Sequence, residues 1–177
     1  MLRKLAVFFL WTLFASQPAH ALFINFTADI EGSQEVPARE SLAFGTGVFT
    51  FDDVANRLSF RILFTDALCT PTNQGGCLDT PEIMAHIHGP ARTGVNADIL
   101  FPLPLDGLKV GAIDITTNPA AVVADLLAGL WYVNIHTDEH PGGEIRGQIL
   151  PVGVPEPMGA VLMLVGVAGL VWSGRRR

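Results

Sequence analysis

Between residues 58 and 64 the chain places Leu58, Phe60, Ile62 and Phe64 in alternation with Ser59, Arg61 and Leu63. Successive side chains of an extended backbone point to opposite faces, so this order makes one apolar face and one mostly polar face. That is the pattern of a strand half buried in an antiparallel sheet. Gly45 to Phe51 reads as a strand before it. The connection Asp52-Asp53-Val54-Ala55-Asn56-Arg57 has the Asp and Asn content of a hairpin turn. Phe23, Phe26, Ala28 and Ile30 open an earlier strand, and further strands are predicted at 83–88, 98–101, 110–115, 130–137 and 144–150. Helix is scarce. Asn118 as N-cap, Pro119 as first helical residue, the run 120–128 and Gly129 as stop predict one short helix. Short strands punctuated by Gly and Pro, with a single helix, give an all-β fold class. An antiparallel Greek-key β-sandwich or flattened barrel is expected.

The two ends carry different signals. Arg3 and Lys4, the uncharged apolar run from Leu5 to Phe14 and the small-x-small site Ala19-His20-Ala21 read as a secretory signal peptide over residues 1–21. At the other end, Pro155-Glu156-Pro157 precedes an apolar stretch from Met158 to Trp172, and Arg175, Arg176 and Arg177 close the chain. A membrane helix at 158–174 with the basic end 175–177 held in the cytoplasm places residues 22–150 on the outer side, with 151–157 as a proline-stiffened linker. This tail resembles the PEP-CTERM sorting signal of Gram-negative bacteria. The resemblance implies processing by signal peptidase and by an exosortase-type sorting enzyme. The domain would then be anchored in the inner membrane and face the periplasm, or be released to the cell surface or extracellular matrix.

Residues 22–154 hold six Lys/Arg and sixteen Asp/Glu, a formal charge of −10. Such a surface repels phosphate backbones and attracts cations, which excludes nucleic-acid binding. The two cysteines, Cys69 and Cys77, bracket the turn-rich segment 70–76 in the exported part, so a disulfide is expected, with metal thiolates as the alternative.

Outside the leader there are four histidines in two clusters, His86 and His88, then His136 and His140. On a strand, residues i and i+2 share a face, so His86 and His88 project side by side. His136, on a strand able to neighbour them, would add a third imidazole. Three imidazoles suit copper(II) or zinc. His140 is a substitute ligand on a loop. Asp138, Glu139 or Glu144 are candidates to receive the imidazole N–H groups. Arg146 has two readings, an ion pair with Asp138 or Glu144, or attraction of an anion beside a metal. The other use for these histidines is to tie loops together. Serines 33, 41 and 59 lack a nucleophile-elbow context, and no catalytic residue is assigned.

Taken together, the segments 86–91, 129–137 and 140–148, and the opening Gly32-Ser33-Gln34-Glu35-Val36-Pro37, strongly resemble the CHRD (chordin-type) domain, across roughly residues 23–150. The likeness implies an exported, non-enzymatic envelope or matrix module, with exopolysaccharide or matrix proteins as partners. A more distant likeness is to copper/zinc superoxide dismutase, also a Greek-key sandwich, at His86, His88, His136 and Arg146. It implies copper as cofactor. There is no histidine between His88 and His136, so the dismutase's metal-bridging histidine has no counterpart and that activity is disfavoured.

Overall fold

A computed structural model of the chain describes residues 21–64, 78, 81–105 and 107–153. Residues 1–20 of the expected leader, Cys69 and Cys77, Pro155, Glu156 and Pro157, the apolar tail and its basic end lie outside the described residues. Among the described residues, no helix is long and apolar enough to cross a membrane.

Eight strands and one short helix follow in order: β1 (Phe23–Glu31), β2 (Phe44–Asp52), β3 (Arg57–Phe64), β4 (Glu82–His88), β5 (Ile99–Pro102), β6 (Leu108–Asp114), α1 (Pro119–Leu127), β7 (Trp131–Thr137) and β8 (Ile145–Pro151). All pairings are antiparallel. The strands form one continuous sheet in the order β5-β4-β7-β8-β1-β2-β3-β6. The all-β class with one short helix is as the alternation implied. The expected two sheets are instead two four-stranded halves of one sheet, joined where β8 pairs with β1.

The alternation in β3 produces the burial it predicts. Leu58, Phe60, Ile62 and Phe64 are buried, whereas Ser59 and Arg61 are exposed. In the turn before it, Asp52 Oδ1 accepts the amides of Val54 and Ala55 at 2.9 Å each, and Asn56 takes φ 49° to reverse the chain. Phe26, Ile30, Phe49 and Phe51 from this half join Ile87, Val133, Ile135, Ile145 and Ile149 of the other half in one apolar cluster. The sheet is therefore folded over onto a shared core. Lys109, inside β6, reaches Glu82 at the start of β4 at 2.6 Å and the Pro104 carbonyl at 2.7 Å, joining the two open edges of the fold.

Helix α1 begins after Asn118, but not by the expected side-chain cap. Asn118 sits at φ 46°, ψ 59° and makes no side-chain cap, while its carbonyl accepts the amides of Ala121 and Val122. A left-handed turn displaces the side chain from the N2 and N3 amides that a cap must reach. The C-terminal end behaves as predicted. Gly129 adopts φ 63°, and the amides of Leu130 and Gly129 return to the carbonyls of Asp125 and Leu126. This is a Schellman closure that a Cβ would strain.

Strand β7 departs from simple alternation because every residue from Trp131 to Thr137 is buried. Its inner face, Trp131, Val133 and Ile135, belongs to the apolar core. The opposite face, Tyr132, Asn134 and His136, is a second buried layer made of polar groups.

Candidate metal centre

The polar layer is assembled by register. His86 pairs with Asn134 and His88 with Tyr132, while Asn134 and Tyr132 pair in turn with Arg146 and Gln148 of β8. Since Ala85 and Ile87 face the core, His86 and His88 face outward with this set. His136 lies diagonally across from His86, within the reach of cross-strand neighbours.

One ligand nitrogen from each of His86, His88 and His136 lies within 4.8 Å of the others. The His86 Nδ1 and His136 Nε2 atoms are 3.3 Å apart. His88 Nδ1 lies 3.0 Å from the Ala97 carbonyl, and His136 Nδ1 lies 3.0 Å from the Pro141 carbonyl. A carbonyl can only accept, so both Nδ1 atoms carry the hydrogen. Both Nε2 atoms then present lone pairs. The Nε2 of His88 is buried and has no hydrogen-bond partner in the protein. Burial holds the pKa of all three imidazoles below the ordinary value, and for His88 the neighbouring Arg146 adds to the depression. The neutral imidazole is the ligand form, so the site is set for a cation at neutral pH.

The other expected residues are placed differently. His140 is outside the imidazole group and ties its own loop, its carbonyl accepting the amides of Thr137 and Gly143. Asp138 is exposed. Glu144 is buried, and its two oxygens accept the hydroxyls of Ser41 at 2.6 Å and Thr137 at 2.8 Å. The imidazole N–H groups of His88 and His136 therefore go to backbone carbonyls instead of Asp138, Glu139 or Glu144. Arg146 makes neither expected ion pair. Its guanidinium donates to Asn96 Oδ1 at 3.0 Å and to the Val95 carbonyl at 2.8 Å, and lies 3.4 Å from the centre of the Tyr132 ring. His88 stacks on the same tyrosine at 4.9 Å with planes 6° apart. Tyr132 was not singled out in the sequence, although its spacing of four from His136 puts the two on one strand face.

These are the segments that carry the sequence resemblance, and residues 26–149 match the CHRD domain. The chain belongs to the CHRD domain family. No curated protein and no solved structure matches it. In this CHRD domain, the histidine strand β4 lies beside the consecutive strands β7 and β8, so two stretches far apart in the chain meet in one polar layer.

A further group in the CHRD domain's polar layer escaped the sequence reading. Glu35 is buried, its Oε1 has no hydrogen-bond partner, and burial pushes its pKa up to about 7 against the pull of Arg146. Asn134 Oδ1 is also unpartnered. Both oxygens come within 2.5 Å of the point where a side chain on Gly143 would begin, so this glycine, at φ 121°, keeps the space open. The native state holds the Glu35 proton more tightly than the unfolded chain. Its contribution to stability is therefore present at low pH and declines as pH rises from about 4.5 towards 7. The histidines act in the opposite sense. Their lowered pKa values remove stability as pH falls below 6.5. Glu35→Gln should cancel only the first effect. Between pH 5 and 8 the wild type should lose about 2 to 3 kcal/mol relative to this variant in urea unfolding. Parallel stability curves would show that the carboxyl titrates normally.

Proposed function

We propose that this CHRD domain is a non-enzymatic metal-binding module of the cell envelope or extracellular matrix, holding copper through His86, His88 and His136. The convergence of three neutral imidazoles, two of them fixed in tautomer by backbone carbonyls, is the observation that carries the reading. Tautomer-fixing partners of this kind are the usual companions of ligating histidines. A charge of −10 over residues 22–154 favours accumulation of cations. Storage or protection fits better than dismutase chemistry, since no histidine between His88 and His136 is present to bridge a second metal.

The PEP-CTERM-like tail and the leader support export and membrane tethering, with signal peptidase and an exosortase-type enzyme as processing partners. The Val152 amide donates to the Asn25 carbonyl, so the two ends of the domain leave side by side. A tether would hold the domain by that pole. His136 lies towards the other end of β7 from Trp131, the β7 residue paired near the exit, at Ile149. Matrix polysaccharide or protein partners remain part of this proposal through the family resemblance.

The test is metal content of the full-length chain exported in cells supplied with copper and zinc, measured by mass spectrometry. Wild type should carry about one copper per chain, and His86→Ala with His88→Ala should reduce it at least tenfold. A metal-free wild type with native circular dichroism would remove the metal and leave a protein- or polysaccharide-binding module.

A further inference from the structure

Strand β4 carries one more potential ligand beside the imidazoles. Met84 pairs directly with His136 and is two residues from His86, so alternation sets Met84, His86 and His88 in one row on the outer face. The intervening Ala85 and Ile87 are buried in the apolar core at 2% and 0% exposure. Met84 itself is 41% exposed. It contributes little to core packing, and it borders the half-buried His86 at the more open side of the imidazole cluster.

Directly paired residues have Cβ atoms about 4.5 to 5.5 Å apart, and the methionine side chain has three rotatable bonds beyond its backbone. Its sulfur can therefore swing to an ion held between His86 and His136. We propose that Met84 supplies a thioether to this site and makes it selective for copper(I) over zinc. The inference rests on the metal-binding reading above.

Two physical arguments favour the monovalent ion. Thioether sulfur is a soft donor that suits copper(I), whereas imidazole also suits zinc and copper(II). The ligand set is also electrically neutral, with the Arg146 guanidinium against the same Tyr132 ring on which His88 stacks. Of the carboxylates on or beside these strands, Glu144 accepts the hydroxyls of Ser41 and Thr137, and Glu82 is paired with Lys109. A dication would be held there with little compensating charge, so the ion of lower charge is favoured.

Full-length protein should be titrated anaerobically with copper(I) against a chromophoric copper(I) chelator, and separately with zinc against a zinc chelator. Met84→Leu nearly conserves volume and should leave the fold intact. The expected result is a loss of tenfold or more in copper(I) affinity with unchanged zinc affinity. X-ray absorption should show a sulfur ligand in the wild type and none in the variant. Equal copper(I) affinity, or a wild-type site with nitrogen ligands alone, would overturn the role of Met84. If His88→Ala still abolished binding, the three-histidine reading would stand without it. A wild type that takes up neither metal would overturn both.

Discussion

Gly147→Ala is expected to cost about 3 kcal/mol or more of folding free energy, at the upper end of overpacking effects in a close-packed interior. A Cβ at this position would lie 2.5 Å from the Asp29 carbonyl oxygen and 2.7 Å from Ile30 Cγ1. The first of these atoms is backbone and cannot rotate away. It belongs to β1 at the place where β8 joins it, next to the Glu31 and Arg146 pair. Relief would require the two halves of the sheet to separate at the one ladder that joins them among the described residues. Thermal unfolding should fall by roughly 10 °C in a domain of this size. Gly142→Ala is the control, since nothing lies within 4 Å of its Cβ position. It should stay within about 0.5 kcal/mol of wild type. Equal melting temperatures for the two variants would show that the junction accommodates a methyl group.

Lys109→Ala should be comparably damaging, at about 3 to 5 kcal/mol, because it strips a charge partner from a largely enclosed carboxylate. The Lys109 side chain is fully enclosed and that of Glu82 is 9% exposed. The ammonium also lies 4.9 Å from the centre of the Phe64 ring, so its stem and head both bridge the fold's open edges. Most of the loss comes from removing the ammonium that faces the Glu82 carboxylate. Lys109→Met combined with Glu82→Gln should therefore recover much of it. Urea denaturation of the single and double variants measures the difference. A single variant within 1 kcal/mol of wild type, on the order of an exposed pair, would show that the bridge is not what closes the edges.

The apolar architecture was legible because period-two patterns announce a buried face. Leu58 to Phe64 gave β3 directly, and the chain order of the strands followed from turn residues such as Asp52 and Asn56. Less could be read where two layers are buried. In β7 the polar residues Asn134 and His136 look like a solvent face in the sequence, yet they are covered. No local pattern distinguishes a polar face in water from one under a loop. Pairing was likewise hidden: His-x-His fixed which face two imidazoles share, but the meeting with His136 depends on β4 lying beside β7, strands far apart in the chain. The carboxylates near His136 suggested side-chain partners for the imidazoles. The actual acceptors are the carbonyls of Ala97 and Pro141, groups that every residue possesses and no sequence marks. Glu35 and the Lys109 bridge escaped for the same reason, because burial of an isolated charge is decided by tertiary packing.

The two-sided burial of β7 has a consequence for how the chain finds its native arrangement. A slip of one residue along β4 or β8 would turn Asn134 and His136 into the apolar core and bring Val133 and Ile135 out among the polar loops. The imidazole triangle can exist only when β4 and β7 are aligned correctly. Any cation it captures binds that alignment and none of its slipped competitors, and so draws the population towards it by mass action. In an exported chain, the ion would act as a proofreader of strand alignment.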